Sequence, residues 1–139
     1  MRFMMLVKHG EIQAPPPKEF LDAMAKLGEE AEKSGNLIAS GGLSPIAKSA
    51  RVRLSRGRVN AVDGPFAEAK ELIAGFWLWQ VKSMEEAVEW LKRAPFDGTE
   101  VEIRQVFEVQ DFPAEVVTPE HAARMQALRE ELKKKAAKP

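Results

Sequence analysis

No cysteine occurs among the 139 residues. Disulfides, thiolate catalysis and zinc–thiolate sites are therefore excluded. Only two histidines are present, His9 and His121. They are far apart in the chain and not paired on one helix, so no metal site is expected. Charge of a single sign is lacking too, because 21 basic side chains balance 21 acidic ones. Nothing in that balance draws the surface to nucleic acid or to an anionic membrane. No apolar run is long enough to span a bilayer. Phe3-Met4-Met5-Leu6-Val7 is too short for a signal-peptide core. A soluble, cytoplasmic protein without cofactor is the expectation.

What is there is an ordinary globule, 45% apolar and 30% charged. At this length one domain with a real core is expected. Arg2–Lys8 alternates Phe3, Met5 and Val7 against Met4 and Leu6, a strand covered on both faces. Phe20, Met24, Leu27 and Ala31 then recur at helical spacing, and Ser34-Gly35-Asn36 stops that helix. Leu37–Leu43 reads as a strand. Val52, Leu54, Val59 and Ala61 flank Ser55-Arg56-Gly57-Arg58, a hairpin signal. Ile73–Val81 is the most apolar strand, with Phe76 and Leu78 on one side and Trp77, Trp79 and Val81 on the other.

Ser83 and Glu86 form a capping box that opens a second helix, which Pro95 ends. Val101–Val109 is the last predicted strand. Thr118 as N-cap and Pro119 at the first helical position start a terminal helix, with Ala122, Met125, Leu128 and Leu132 as its apolar stripe. That helix is expected to dock through the stripe, since an isolated helix of this length is marginal in water. Lys133-Lys134-Lys135 reads as a solvated helix end.

Without the hairpin, the order is β-α-β-β-α-β, the ferredoxin-like split unit of an α+β protein. Helices would cover one face of such a sheet and leave the other apolar and open. Homodimerisation into a barrel-like core around a pocket is the simplest way to cover it. The division expected is 1–112 as the domain and 113–139 as linker and terminal helix.

Asp63-Gly64-Pro65-Phe66-Ala67-Glu68-Ala69-Lys70-Glu71 packs carboxylates, a Gly-Pro turn, an aromatic and a lysine between two β-like segments. Asp63 is a candidate general base or ligand anchor. Its competing role is a turn-former bonding nearby amides. His9, at the end of the first strand, is a second candidate acid or base, or else an exposed loop histidine. Glu68, Lys70, Glu71 and Arg104 suggest a carboxylate or anion clamp, or a structural ion-pair network. Trp77 and Trp79 can stack a planar ligand or fill the core.

The Asp63–Glu71 stretch resembles the signature of the YCII-related, or DGPF, family of small bacterial proteins. Similar stretches are Ala39-Ser40-Gly41-Gly42-Leu43, Ala50-Arg51-Val52-Arg53, Gly75-Phe76-Trp77-Leu78, Glu86-Ala87-Val88-Glu89-Trp90 and Val101-Glu102-Ile103-Arg104. The resemblance spans roughly residues 1–112. It implies a dimeric α+β barrel, a superfamily that includes muconolactone-isomerase-like enzymes, small monooxygenases and proteins with no assigned activity. In YciI-like relatives a His–Asp dyad is the proposed active site, and Asp63 would supply its Asp here. Two functions remain open. One is a cofactor-independent enzyme performing proton transfer on an unknown small molecule, in a pocket at the Asp63 loop. The other is a non-catalytic module that binds a small molecule or another protein.

Overall fold

The computed structural model describes residues 1–9, 14–64 and 72–136. It is α+β and divides into two compact units, Met1–Val106 and Phe107–Pro139. In the first unit, β1 (Arg2–His9), β2 (Leu37–Gly42), β5 (Leu72–Gln80) and β6 (Glu100–Gln105) form an antiparallel sheet in the order β2-β5-β1-β6. β3 (Ala50–Ser55) and β4 (Arg58–Asp63) form a separate two-stranded hairpin. With α1 (Lys18–Ser34) and α2 (Met84–Leu91) as connections, the sheet order is compatible with the ferredoxin-like arrangement.

The strand register decides which side chains share a face. Phe3 pairs with Trp79 and Met5 with Trp77, while Met5 also lies opposite Ile103 and Val7 opposite Val101. These side chains face the helices. Apart from Val7, they pack with Leu27 and Ala31 of α1 and Ala87 of α2 into one core. Both tryptophans therefore lie on the helix side. Met4 opposite Leu78 and Leu6 opposite Phe76 form the other face, which is half-buried. Trp90 of α2 packs on Trp79 with ring centroids 5.0 Å apart, and Arg93 lies over Trp90 while pairing with Glu30 of α1. That chain of contacts fixes both helices on the sheet.

Local signals end and begin most elements where expected, although α2 stops at Leu91, before Pro95 is reached. Gly35 adopts a left-handed φ of 74° and donates its N–H to the Glu32 carbonyl, closing α1. Ser83 Oγ accepts from the Glu86 N–H at 3.2 Å, whereas the Glu86 carboxylate reaches the Lys82 N–H rather than that of Ser83. The hairpin turn has positive φ at both Arg56 and Gly57, the geometry that matches strand twist in a two-residue loop. Gly64 sits where a Cβ would run into the Ile46 carbonyl oxygen, and its N–H donates to the Ser49 carbonyl at 2.7 Å. The foot of the hairpin is thereby pressed against the short 3-10 turn Ile46–Lys48.

The last strand is shorter than its sequence pattern suggests and ends at Gln105. In the second unit, Val109–Asp111 forms a 3-10 turn in which Glu108 and Asp111 cap each other reciprocally. These two acids satisfy the turn's own amides, so the segment does not extend the ladder. Phe107 and Phe112 stack at 5.2 Å, and Arg129 of α3 (Pro119–Ala136) holds Glu108 at 2.6 Å. Thr118 Oγ1 accepts from the His121 N–H at the start of α3. The stripe residues Met125, Leu128 and Leu132 are exposed, and α3 has no buried residue. No helix among the described residues is long and apolar enough to cross a membrane.

Candidate functional site

Strand pairing brings four strand ends to one end of the sheet. His9 pairs with Leu72, Gly42 with Gly75, and Lys8 with Glu100. A cavity of about 970 Å³ opens there, between the sheet and the N-terminal half of α1. Leu21, Met24, Ala25 and Gly28 supply the helical wall, at the i, i+3, i+4, i+7 spacing of one helix face. Val7, Ser40, Gly41, Gly42, Gly75 and Trp77 supply the sheet wall. Phe96 closes the space, stacked 5.8 Å from both Phe20 and Trp77.

The lining is mostly apolar, with a few polar groups near the rim. His9 and Asp97 stand there exposed, joined by the hydroxyls of Ser40 and Thr99. An apolar, aromatic-walled space with a few convergent polar groups is the usual form of a small-molecule site. The volume lies at the upper end of the ordinary range for such pockets.

Of the candidate residues, His9 and Trp77 come together on this cavity. Trp79 lies in the core, 1% exposed, and does not line it. Its buried indole Nε1 has no hydrogen-bond partner among the described residues. Arg104 stands beside Met4 on the face of the sheet turned away from the helices, opposite to Trp77 and Trp79. There it pairs with Glu102 at 3.7 Å. Lys8 donates to the same Glu102 at 2.9 Å and, by that hydrogen bond and its charge, holds the carboxyl below its ordinary value of 4.5.

Asp63 ends β4, exposed and opposite Ala50, and is not on the cavity wall. No hydrogen bond of its carboxylate is found among the described residues. Glu68, Lys70 and Glu71 lie outside the described residues. Among the described residues, no cluster of three or more His, Asp or Glu that could hold a metal ion is present.

Sequence reading missed most of the lining. Phe96, Asp97 and Thr99 fall in an irregular loop after α2, where no periodicity flags a side chain. Phe96 after Pro95 was the available clue, an aromatic placed just beyond a helix stop. Pro15, Pro16 and Pro17 also line the cavity, and their sequence showed only a loop.

These features define a small α+β domain with an antiparallel sheet and an apolar chamber at one end of it. The family model of the YCII-related domain matches residues 1–110, and the chain belongs to that family. It is also 36% identical over 72 residues to an uncharacterized protein of Rhizobium meliloti, a stretch covering 52% of this chain and 56% of that relative's length.

Proposed function

We propose that the Met1–Val106 unit is a cofactor-independent small-molecule enzyme that holds a mostly apolar, carbonyl-bearing molecule in the end-of-sheet cavity and moves a proton on it. The observation that carries this reading is the aromatic-walled chamber of about 970 Å³ with the His9 imidazole at its rim. An imidazole is the side chain best suited to give and take a proton near neutrality. Trp77, Phe20 and Phe96 offer ring faces and edges to the body of the ligand. Asp63 ends the strand that precedes the return to β5, whose first residue pairs with His9. Asp63 stands off the cavity wall, and in the proposal His9 is the proton carrier.

The aromatic ketone 1-tetralone tests the reading. Its binding is expected to quench tryptophan fluorescence. The protein is expected to speed deuterium exchange at the carbon next to the carbonyl, followed by NMR. Positioned acid–base groups contribute about 10²–10⁴-fold, so His9→Gln should slow the protein-dependent exchange by about 100-fold or more with binding retained. Quenching without any exchange would leave the second reading, a non-catalytic binding module, which the same apolar lining supports.

The unit is further proposed to work as a homodimer that closes two sheets into a barrel. Support comes from Met4, Leu6, Phe76 and Leu78 on the face away from the helices, and from the exposed hairpin residues Val52, Leu54 and Val59. A two-stranded hairpin is marginal by itself, and apolar side chains on it call for a cover. Sedimentation equilibrium at micromolar concentration is expected to give twice the 15.5 kDa chain mass. A stable folded monomer would rule the dimer out.

A further inference from the structure

Among the described residues, two glycines on the cavity wall have no local reason to be glycine. Gly35, Gly57 and Gly98 have left-handed backbones. At Gly41, Gly64 and Gly75 a Cβ would press on a neighbouring ring or carbonyl. Of the described glycines, Gly28 and Gly42 remain. Neither has a left-handed φ, and a Cβ on either would meet no atom within 4 Å among the described residues. Both line the cavity, Gly28 from the middle of α1 and Gly42 from the end of β2. Glycine inside a helix is among the poorest helix formers, so Gly28 weakens α1 without a packing return among the described residues. The space it leaves belongs to the chamber.

We propose that Gly28 and Gly42 are specificity-determining residues, kept bare so that the cavity admits a rigid, flat ligand larger than a single ring against the Trp77–Phe96 wall. The inference rests on the proposed binding function and adds the size class of its ligand. Leu21 and Met24, on the same helix face, carry long side chains. The helical wall thus narrows the chamber at one turn and opens it at the next. A large, flat molecule uses that opening, whereas a single ring does not need it. A methyl or isobutyl group added at Gly28 or Gly42 would therefore penalise the large ligand selectively.

The test is a graded series of aromatic ketones: acetophenone with one ring, 1-tetralone with two and anthrone with three. Affinities are read by tryptophan quenching on the wild type and on Gly28→Ala, Gly28→Leu, Gly42→Ala and Gly42→Leu. The wild type is expected to bind anthrone most tightly. The Leu variants should lose about tenfold or more for anthrone, while acetophenone stays within about twofold. The Ala variants should lose less, in the same order. Gly28→Ala is expected to raise the melting temperature by about 2–4 °C, because the helix gains and no described atom clashes.

Unchanged anthrone affinity in folded variants would overturn the role of the glycines and leave the cavity reading standing. A lowered melting temperature for Gly28→Ala would overturn it as well, by showing a packing conflict at that position. If no ketone binds the wild type, the binding function itself fails, and this inference falls with it.

Discussion

Trp79→Ala is expected to destabilise the protein by about 3–5 kcal/mol, the range for truncating a large aromatic in a packed core. Trp79 is 1% exposed and touches partners on two elements. Its ring meets Trp77 edge-on with centroids 6.1 Å apart and lies 5.0 Å from Trp90 of α2. Removing it leaves a cavity between sheet and helix that neighbouring rings cannot collapse to fill. Urea unfolding followed by circular dichroism reads the loss. The informative control is Trp79→Phe. It keeps most of the apolar area and removes the buried Nε1 that has no partner among the described residues. An unmade hydrogen bond of this kind costs about 1–3 kcal/mol, so the Phe variant should lose much less than the Ala variant. Equal losses in the two would mean that the indole N–H makes a stabilising bond after all. A negligible loss for Trp79→Ala would remove the residue from the core.

The second large effect falls on the signature motif, and on its glycine rather than its acid. Gly64→Ala is expected to cost about 1–3 kcal/mol, the usual penalty for forcing an extra carbon into filled space. The new Cβ would strike the Ile46 backbone, which cannot rotate aside as a side chain can, and the Gly64 to Ser49 hydrogen bond would stretch. Asp63→Asn, one residue earlier, should change stability by less than about 0.5 kcal/mol, as exposed substitutions usually do. Paired thermal melts of the two variants check the contrast. If the Asn variant loses as much as the Ala variant, the Asp63 carboxylate is structural. If it folds normally but loses binding of 1-tetralone, Asp63 belongs to the site although it stands off the cavity wall.

The elements themselves were legible because each rests on local chemistry. Alternation in Phe3–Val7 and Phe76–Trp79 shows two-faced strands. Gly35, Ser83 and Thr118 show where helices stop or start, since a cap is satisfied by backbone groups within four residues. The strand expected to run to Val109 failed at a place of the same kind. Val106, Phe107 and Val109 have strand-like side chains, but Glu108 and Asp111 close a turn on each other, and that reciprocal capping outweighs β propensity.

The site was far less legible, because a cavity is made by residues distant in sequence. Asp63 drew attention through its motif, yet the register of β3 with β4 leaves it exposed opposite Ala50. Trp77 and Trp79 look equivalent in the sequence and share one face. Both are buried, and only the packing of Phe96 and α2 gives Trp77 to the cavity and closes Trp79 off from it. Alternation sets Arg104 opposite to Val101 and Ile103, and its pairing with Met4 makes that side the face away from the helices. The sequence by itself determined the α+β class, the order of elements and the two-faced strands, since these follow from periodicity and short-range capping. Tertiary structure alone decided which candidates meet and where space is left unfilled, because both depend on strand register and on helix placement across the sheet.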